Sequence, residues 1–119
     1  MEVGETVAAG SRAEWRRWLA KHHDDRKEIW LLYKKKTSGK GGISYEESVE
    51  EALCYGWIDG QTKSIDKASY AGRFTPRRPG SNWSASNIAR VKKLLENGSM
   101  TQAGMAFIPQ ELRPSKAPA

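Results

Sequence analysis

At 119 residues, with 38% hydrophobic and 29% charged side chains and five Trp, four Tyr and two Phe, the chain has room for one compact domain and too much apolar area for a disordered coil. Its 20 Lys+Arg and 14 Asp+Glu leave +6, unevenly: residues 1–60 hold 10 basic and 11 acidic groups (net −1), the remainder 10 and 3 (net +7), a field that attracts anionic partners or simply maintains solubility. The longest apolar run, Ile29 to Tyr33, is far short of the roughly 18 residues a membrane span requires; with no secretion-like start and one cysteine, the expectation is a soluble, cytoplasmic protein without a disulfide.

Residues 1–10 are small and polar without periodicity and read as a flexible lead. Ser11 and Glu14 then form an S-x-x-E capping signature, and Trp15, Trp18, Leu19 and His22 recur at helical spacing, predicting a first helix with two indoles on its buried face. The adjacent His22 and His23 at its end suit the helix dipole better than a metal, since neighbouring helical side chains point apart, and no metal or cofactor is expected.

KEIWLLYKKK, residues 27–36, is a near-continuous apolar stretch bounded by charge, which predicts a strand covered on both faces near the middle of a sheet. The following TSGKGG lacks the glycine spacing of a phosphate-binding loop and reads as a surface connection. Ser44 and Glu47 repeat the capping box. The spacing of Tyr45, Val49, Ala52 and Leu53 then predicts an amphipathic second helix, with Glu46, Glu47, Glu50 and Glu51 on its wet side, Cys54 buried in its last turn and Gly56 as its stop.

From Trp57 to Thr75 the period shortens: WIDG, TKSID and YAGRFT read as short strands joined by turns at Asp59-Gly60 and at 66–69, with the two aspartates as turn residues rather than an acid/base pair. RFTPRRPGSNWS carries the sharpest signal. Prolines stiffen an irregular connection that presents Arg73, Arg77 and Arg78 beside Trp83, and Ser84 or Ser86 then caps a helix with Ile88, Val91 and Leu95 buried and Gly98 as its end. Rigid guanidinium groups near a helix N-terminus suit a carboxylate or phosphate. The candidate anion site is therefore Arg73, Arg77, Arg78 and Trp83, bordered by Trp57, Asp59 and Asn87; the alternative is that the arginines pair with the acidic second helix and stack on tryptophan as scaffolding. Thr101 caps one further short turn to Phe107, too short and too poor in basic or amide side chains to read DNA bases, and 108–119 reads as an extended proline-containing tail.

EALCYGWIDG at 51–60 with RFTPRRPGSNWSASNIARVKKLLENGSMTQAG at 73–104 resembles the bacterial YdeI/OmpD-associated, or bacteriocin-protection, family, and Trp15–Leu19, WLLYKKK and ISYEESVEEA fit the same pattern, so the likeness covers about residues 11–107. The resemblance implies an α+β domain linked with tolerance to bacteriocins or antimicrobial peptides and with envelope stress, and supplies no catalytic residue. Similar proteins continue with an acidic, tryptophan-bearing helical segment where this chain has IPQELRPSKAPA, which implies an apolar face left for a partner. The expected fold is α+β, a small sheet of short strands packed against three main helices in a single domain at 11–107. The expected function is non-catalytic binding of an anionic small molecule or acidic protein surface. Nucleic-acid binding by the basic half is the alternative, and an enzymatic role would need Cys54 or Asp59 to meet a histidine.

Overall fold

The computed structural model describes residues 2–35, 42–78 and 82–112. In chain order the elements are β1 (Thr6–Ala8), α1 (Arg12–His22), β2 (Ile29–Lys34), α2 (Tyr45–Cys54), β3 (Trp57–Ser64), β4 (Ser69–Pro76), α3 (Ala85–Glu96), α4 (Gln102–Met105) and a 3-10 turn at Gln110–Leu112. The four strands form one mixed sheet in the order β1-β2-β4-β3, with β1 parallel to β2 and the other pairings antiparallel. This is the expected α+β layout with three main helices.

The expected lead-in is partly structured. Thr6, Val7 and Ala8 pair in register with Trp30, Leu31 and Leu32. Three residues are too few for a period-2 pattern to show, and this strand is specified by the neighbour it joins. The first residues of the expected tail are likewise structured: Ile108 is buried in the core and Gln110–Leu112 is helical, while 113–119 lie outside the described residues.

Strand β2 lies inside the sheet, as its continuous apolar run implies. Ile29, Leu31 and Tyr33 enter a core with Trp15 and Leu19 of α1, Trp57 and Phe74, while Trp30 is fully buried off it. The Trp15 ring stacks on Trp18 at 5.4 Å and meets Phe74 at 5.2 Å, and its Nε1–H donates to the Ser48 carbonyl at 3.0 Å, which satisfies that buried N–H. A second cluster joins Val49, Leu53 and Cys54 of α2 to Val91 and Leu94 of α3 and Ile108.

The region read as three short strands is a hairpin of two long ones. Asp59-Gly60 is not a turn: the ladder continues through it with a register irregularity between Asp59 and Thr62, a bulge that absorbs the glycine. The true turn is closed by Asp66, whose Oδ1 accepts from the amides of Ala68 and Ser69, each at 2.8 Å.

The acidic helix also departs from expectation. Ser44 and Glu47 form the reciprocal capping box, but Glu50 and Glu51 are only 3% and 4% exposed. Arg12 donates to both at 2.9 and 2.8 Å, Arg16 to Glu51 at 2.8 Å and Lys93 to Glu50 at 2.8 Å, while Arg90 forks onto Glu46. Helical periodicity placed these carboxylates opposite the apolar stripe, but α1 and α3 both pack against α2 and cover that side, and buried carboxylates persist only when paired in this way.

Candidate functional site

Three local decisions place Arg77. Strand β4 ends at Pro76, opposite Trp57 in register, and the next amide, that of Arg77, donates to the Gly56 carbonyl at 2.8 Å. Gly56 has φ +76°, and a Cβ there would lie 2.5 Å from Phe107 Cδ2, so the left-handed residue that ends α2 also anchors the Arg77 backbone. The side chain then lies over Trp83, its Cζ 3.7 Å from the ring centroid, and Nη2 donates to the Asn82 carbonyl at 2.6 Å.

The result is an arginine only 6% exposed as a residue, with no carboxylate in ion-pair distance among the described residues and with Nε unpartnered. Burial pushes its pKa below the ordinary arginine value, partly offset by the field of Asp59. A cation desolvated without a counter-charge is costly, which is why buried arginines are normally paired.

Arg77 borders a cleft of about 390 Å³ at the head of α3. Ile58, Thr75, Pro76, Arg78, Asn82, Ser84 and Asn87 line it with Arg77. Ser84 caps the helix by accepting the Asn87 amide at 3.2 Å. The Asn87 Oδ1 accepts from Arg90 at 2.8 Å, leaving its side-chain N–H groups without a partner among the described residues. A second hollow of about 560 Å³ lies against the same ridge, lined by Lys27, Arg73, Thr75, Pro76, Arg77 and Arg78. Among the described residues neither lining contains a carboxylate. The arrangement offers cations, amides and a helix N-terminus to an anion.

The residues expected at one site divide. Arg77, Arg78 and Asn87 line the first cleft, with Trp83 as the platform beneath Arg77. Arg73 belongs only to the second hollow, and its Nε is paired with Glu28 at 2.5 Å. Two placements need correction. Trp57 is a core residue, 1% exposed, edge-on to Trp18 at 5.9 Å and donating Nε1–H to the His23 carbonyl. Asp59 lines neither hollow: it accepts from the Tyr45 hydroxyl, whose pKa is raised by burial and by that carboxylate. Both lie on β3 beside the site in the sheet, but Trp57 faces the core and Asp59 meets Tyr45, whereas Ile58 between them reaches the cleft.

The scaffolding alternative is half realised, since Arg77 stacks on tryptophan but the acidic helix is served by Arg12, Arg16, Arg90 and Lys93. Pro79 and Gly80 of the expected bend, and the 37–41 connection, lie outside the described residues. Among the described residues no hydrogen bond or ion pair joins Cys54 or Asp59 to a histidine. Burial raises the Cys54 thiol to about 11. The His23 Nδ1 meets the Leu19 carbonyl at 2.9 Å and that of His22 faces Asp25 at 3.1 Å.

Sequence reading missed Lys27, Ile58, Thr75 and Asn82 as lining residues. Lys27 was readable only as the polar boundary of β2; the others enter through strand alternation and the chain reversal before α3.

No helix among the described residues is long and apolar enough to cross a membrane, and no group of three or more His, Cys, Asp or Glu is placed to hold a metal among them. Comparison with curated proteins and with solved structures finds no match. Residues 7–107, from β1 to the end of the turn after α4, match the family described as Domain of unknown function (DUF8412), and the chain belongs to that family.

Proposed function

We propose that the protein is a non-catalytic binding module whose cleft at the head of α3 receives an anionic group, phosphate or carboxylate, on a small molecule or an acidic protein surface. One observation carries this reading: Arg77 is buried without a counter-charge beside an open cleft, and an incoming anion would supply what the fold leaves out. Arg78 at the rim, the Asn87 amide and the first turn of α3 supply further donors. The nucleic-acid alternative has less support, because among the described residues neither hollow is lined by an aromatic ring and the Trp83 face is occupied by a guanidinium rather than free to stack on a base. The likeness to the YdeI/OmpD-associated family would attach such a site to tolerance of bacteriocins or antimicrobial peptides.

Calorimetric titration with inorganic phosphate at low ionic strength tests the reading. Saturable one-to-one binding that disappears in Arg77→Met supports it; absence of binding, or binding that Arg77→Met leaves intact, overturns it.

A further inference from the structure

Resting on the anion-binding reading above, we infer that the ligand carries at least two linked anionic groups, as a short phosphate chain does, and spans both hollows across the Arg77–Arg78 ridge. Thr75, Pro76, Arg77 and Arg78 line both cavities, so the two hollows are two sides of one wall. Two independent anions would draw on the same pair of guanidinium groups, whereas one ligand bent over the ridge uses them once.

The charge balance points the same way. In the second hollow the Arg73 charge is answered by Glu28, but Lys27, Arg77 and Arg78 have no ion pair among the described residues. A single anion would leave most of that charge uncompensated; a chain of two or three phosphates would meet it. The two ends are also chemically different. The end at α3 offers the Ser84 and Asn87 polar groups and helix amides for one well-oriented oxyanion. The other end offers Lys27, a flexible point charge that reads charge more than shape, beside Arg73, whose fork is held by Glu28. With no ring lining either hollow among the described residues, phosphate chemistry rather than a base or sugar is what the walls recognise.

Titrations with orthophosphate, pyrophosphate and tripolyphosphate at one pH and fixed ionic strength separate this inference from the reading beneath it. The expected result is that pyrophosphate or tripolyphosphate binds the intact chain at least about tenfold more tightly than orthophosphate, as one or more added charge-assisted contacts imply. Lys27→Gln combined with Arg73→Gln should remove that gain and leave orthophosphate affinity within about twofold. Lys27→Glu alone, at an exposed position outside the first cleft, should reduce the gain and guards against a folding defect from loss of the Arg73–Glu28 pair. If orthophosphate binds but the longer anions gain nothing, or their gain survives these substitutions, the two-ended ligand is wrong and the single-anion site stands. If orthophosphate does not bind, both fall. An oligothymidylate with the same number of phosphates that binds more tightly than tripolyphosphate overturns the assignment in favour of a nucleic-acid strand.

Discussion

The Arg77 guanidinium lies 3.7 Å above the Trp83 ring, and the Asn82 carbonyl holds one of its nitrogens from the side. Stacking and one neutral acceptor orient the group without neutralising it. Orientation matters for binding, whereas an unneutralised buried charge does nothing for stability. Arg77→Met, which keeps an unbranched stem over the indole, should therefore leave the urea-unfolding free energy unchanged within about 0.5 kcal/mol or raise it, because removing a buried, unpaired charge relieves its desolvation. A loss of 2 kcal/mol or more would make Arg77 a structural residue.

Trp83→Leu should separate positioning from charge. The ring packs on the second core cluster as well as under Arg77, so the substitution is expected to cost about 1–3 kcal/mol of stability and to weaken phosphate binding by about tenfold while the cation remains. Phosphate affinity equal to that of the parent chain, measured below the melting transition, would show that the stack contributes nothing to binding.

Two glycines with similar backbones should respond differently. Gly56 and Gly98 have φ +76° and +78°, but a Cβ at Gly56 meets Phe107 at 2.5 Å and one at Gly98 meets nothing within 4 Å. Gly98→Ala should cost about 1 kcal/mol, the left-handed penalty alone, and Gly56→Ala distinctly more, with disturbed phosphate binding because Gly56 also anchors the Arg77 amide. Equal melting-temperature losses would contradict this.

The clamped acidic helix sets the acid limit of the fold. Burial pushes the Glu50 carboxyl up, but hydrogen bonds from Lys93 and Arg12 outweigh it and hold it below the ordinary carboxylate range; Arg90 does the same for the exposed Glu46. A group whose pKa is depressed by folding stabilises the fold above its unfolded value, and that stability is lost as pH falls through the folded value. Unfolding free energy should thus be flat near neutrality and decline below about pH 4.5. Glu50→Ala, which removes the carboxylate partner of Lys93 and one of the two that Arg12 has, should cost about 2–4 kcal/mol at pH 7 and much less at pH 3. A pH-independent cost would mean that packing, not charge, is what Glu50 provides.

Much of the fold was legible because it rests on local chemistry. The Ser44–Glu47 box, the Ser11 and Ser84 caps and the left-handed Gly56 and Gly98 each act within a few residues. The continuous apolar run placed β2 inside the sheet for the same reason. What could not be read depends on assembly. Strand β1 exists only because β2 is beside it, and the burial of Glu50 and Glu51 follows from two helices closing over α2. At the candidate site the sequence pointed to Arg77, Arg78, Trp83 and Asn87, which share a cleft or support it. It could not tell that Trp57 turns to the core and Asp59 to Tyr45, since the bulge after Asp59 obscures the strand period. Nor could it pair Arg73 with Glu28, 45 residues away.

The most direct test of the account is a phosphate titration followed by amide and indole chemical shifts. The expected result is a saturable set of shifts centred on the Trp83 indole N–H, the backbone amides of Ala85, Ser86 and Asn87 and the Asn87 side chain, absent in Arg77→Met. Shifts that grow linearly without saturation, or that scatter over the lysines of the whole surface, would contradict it.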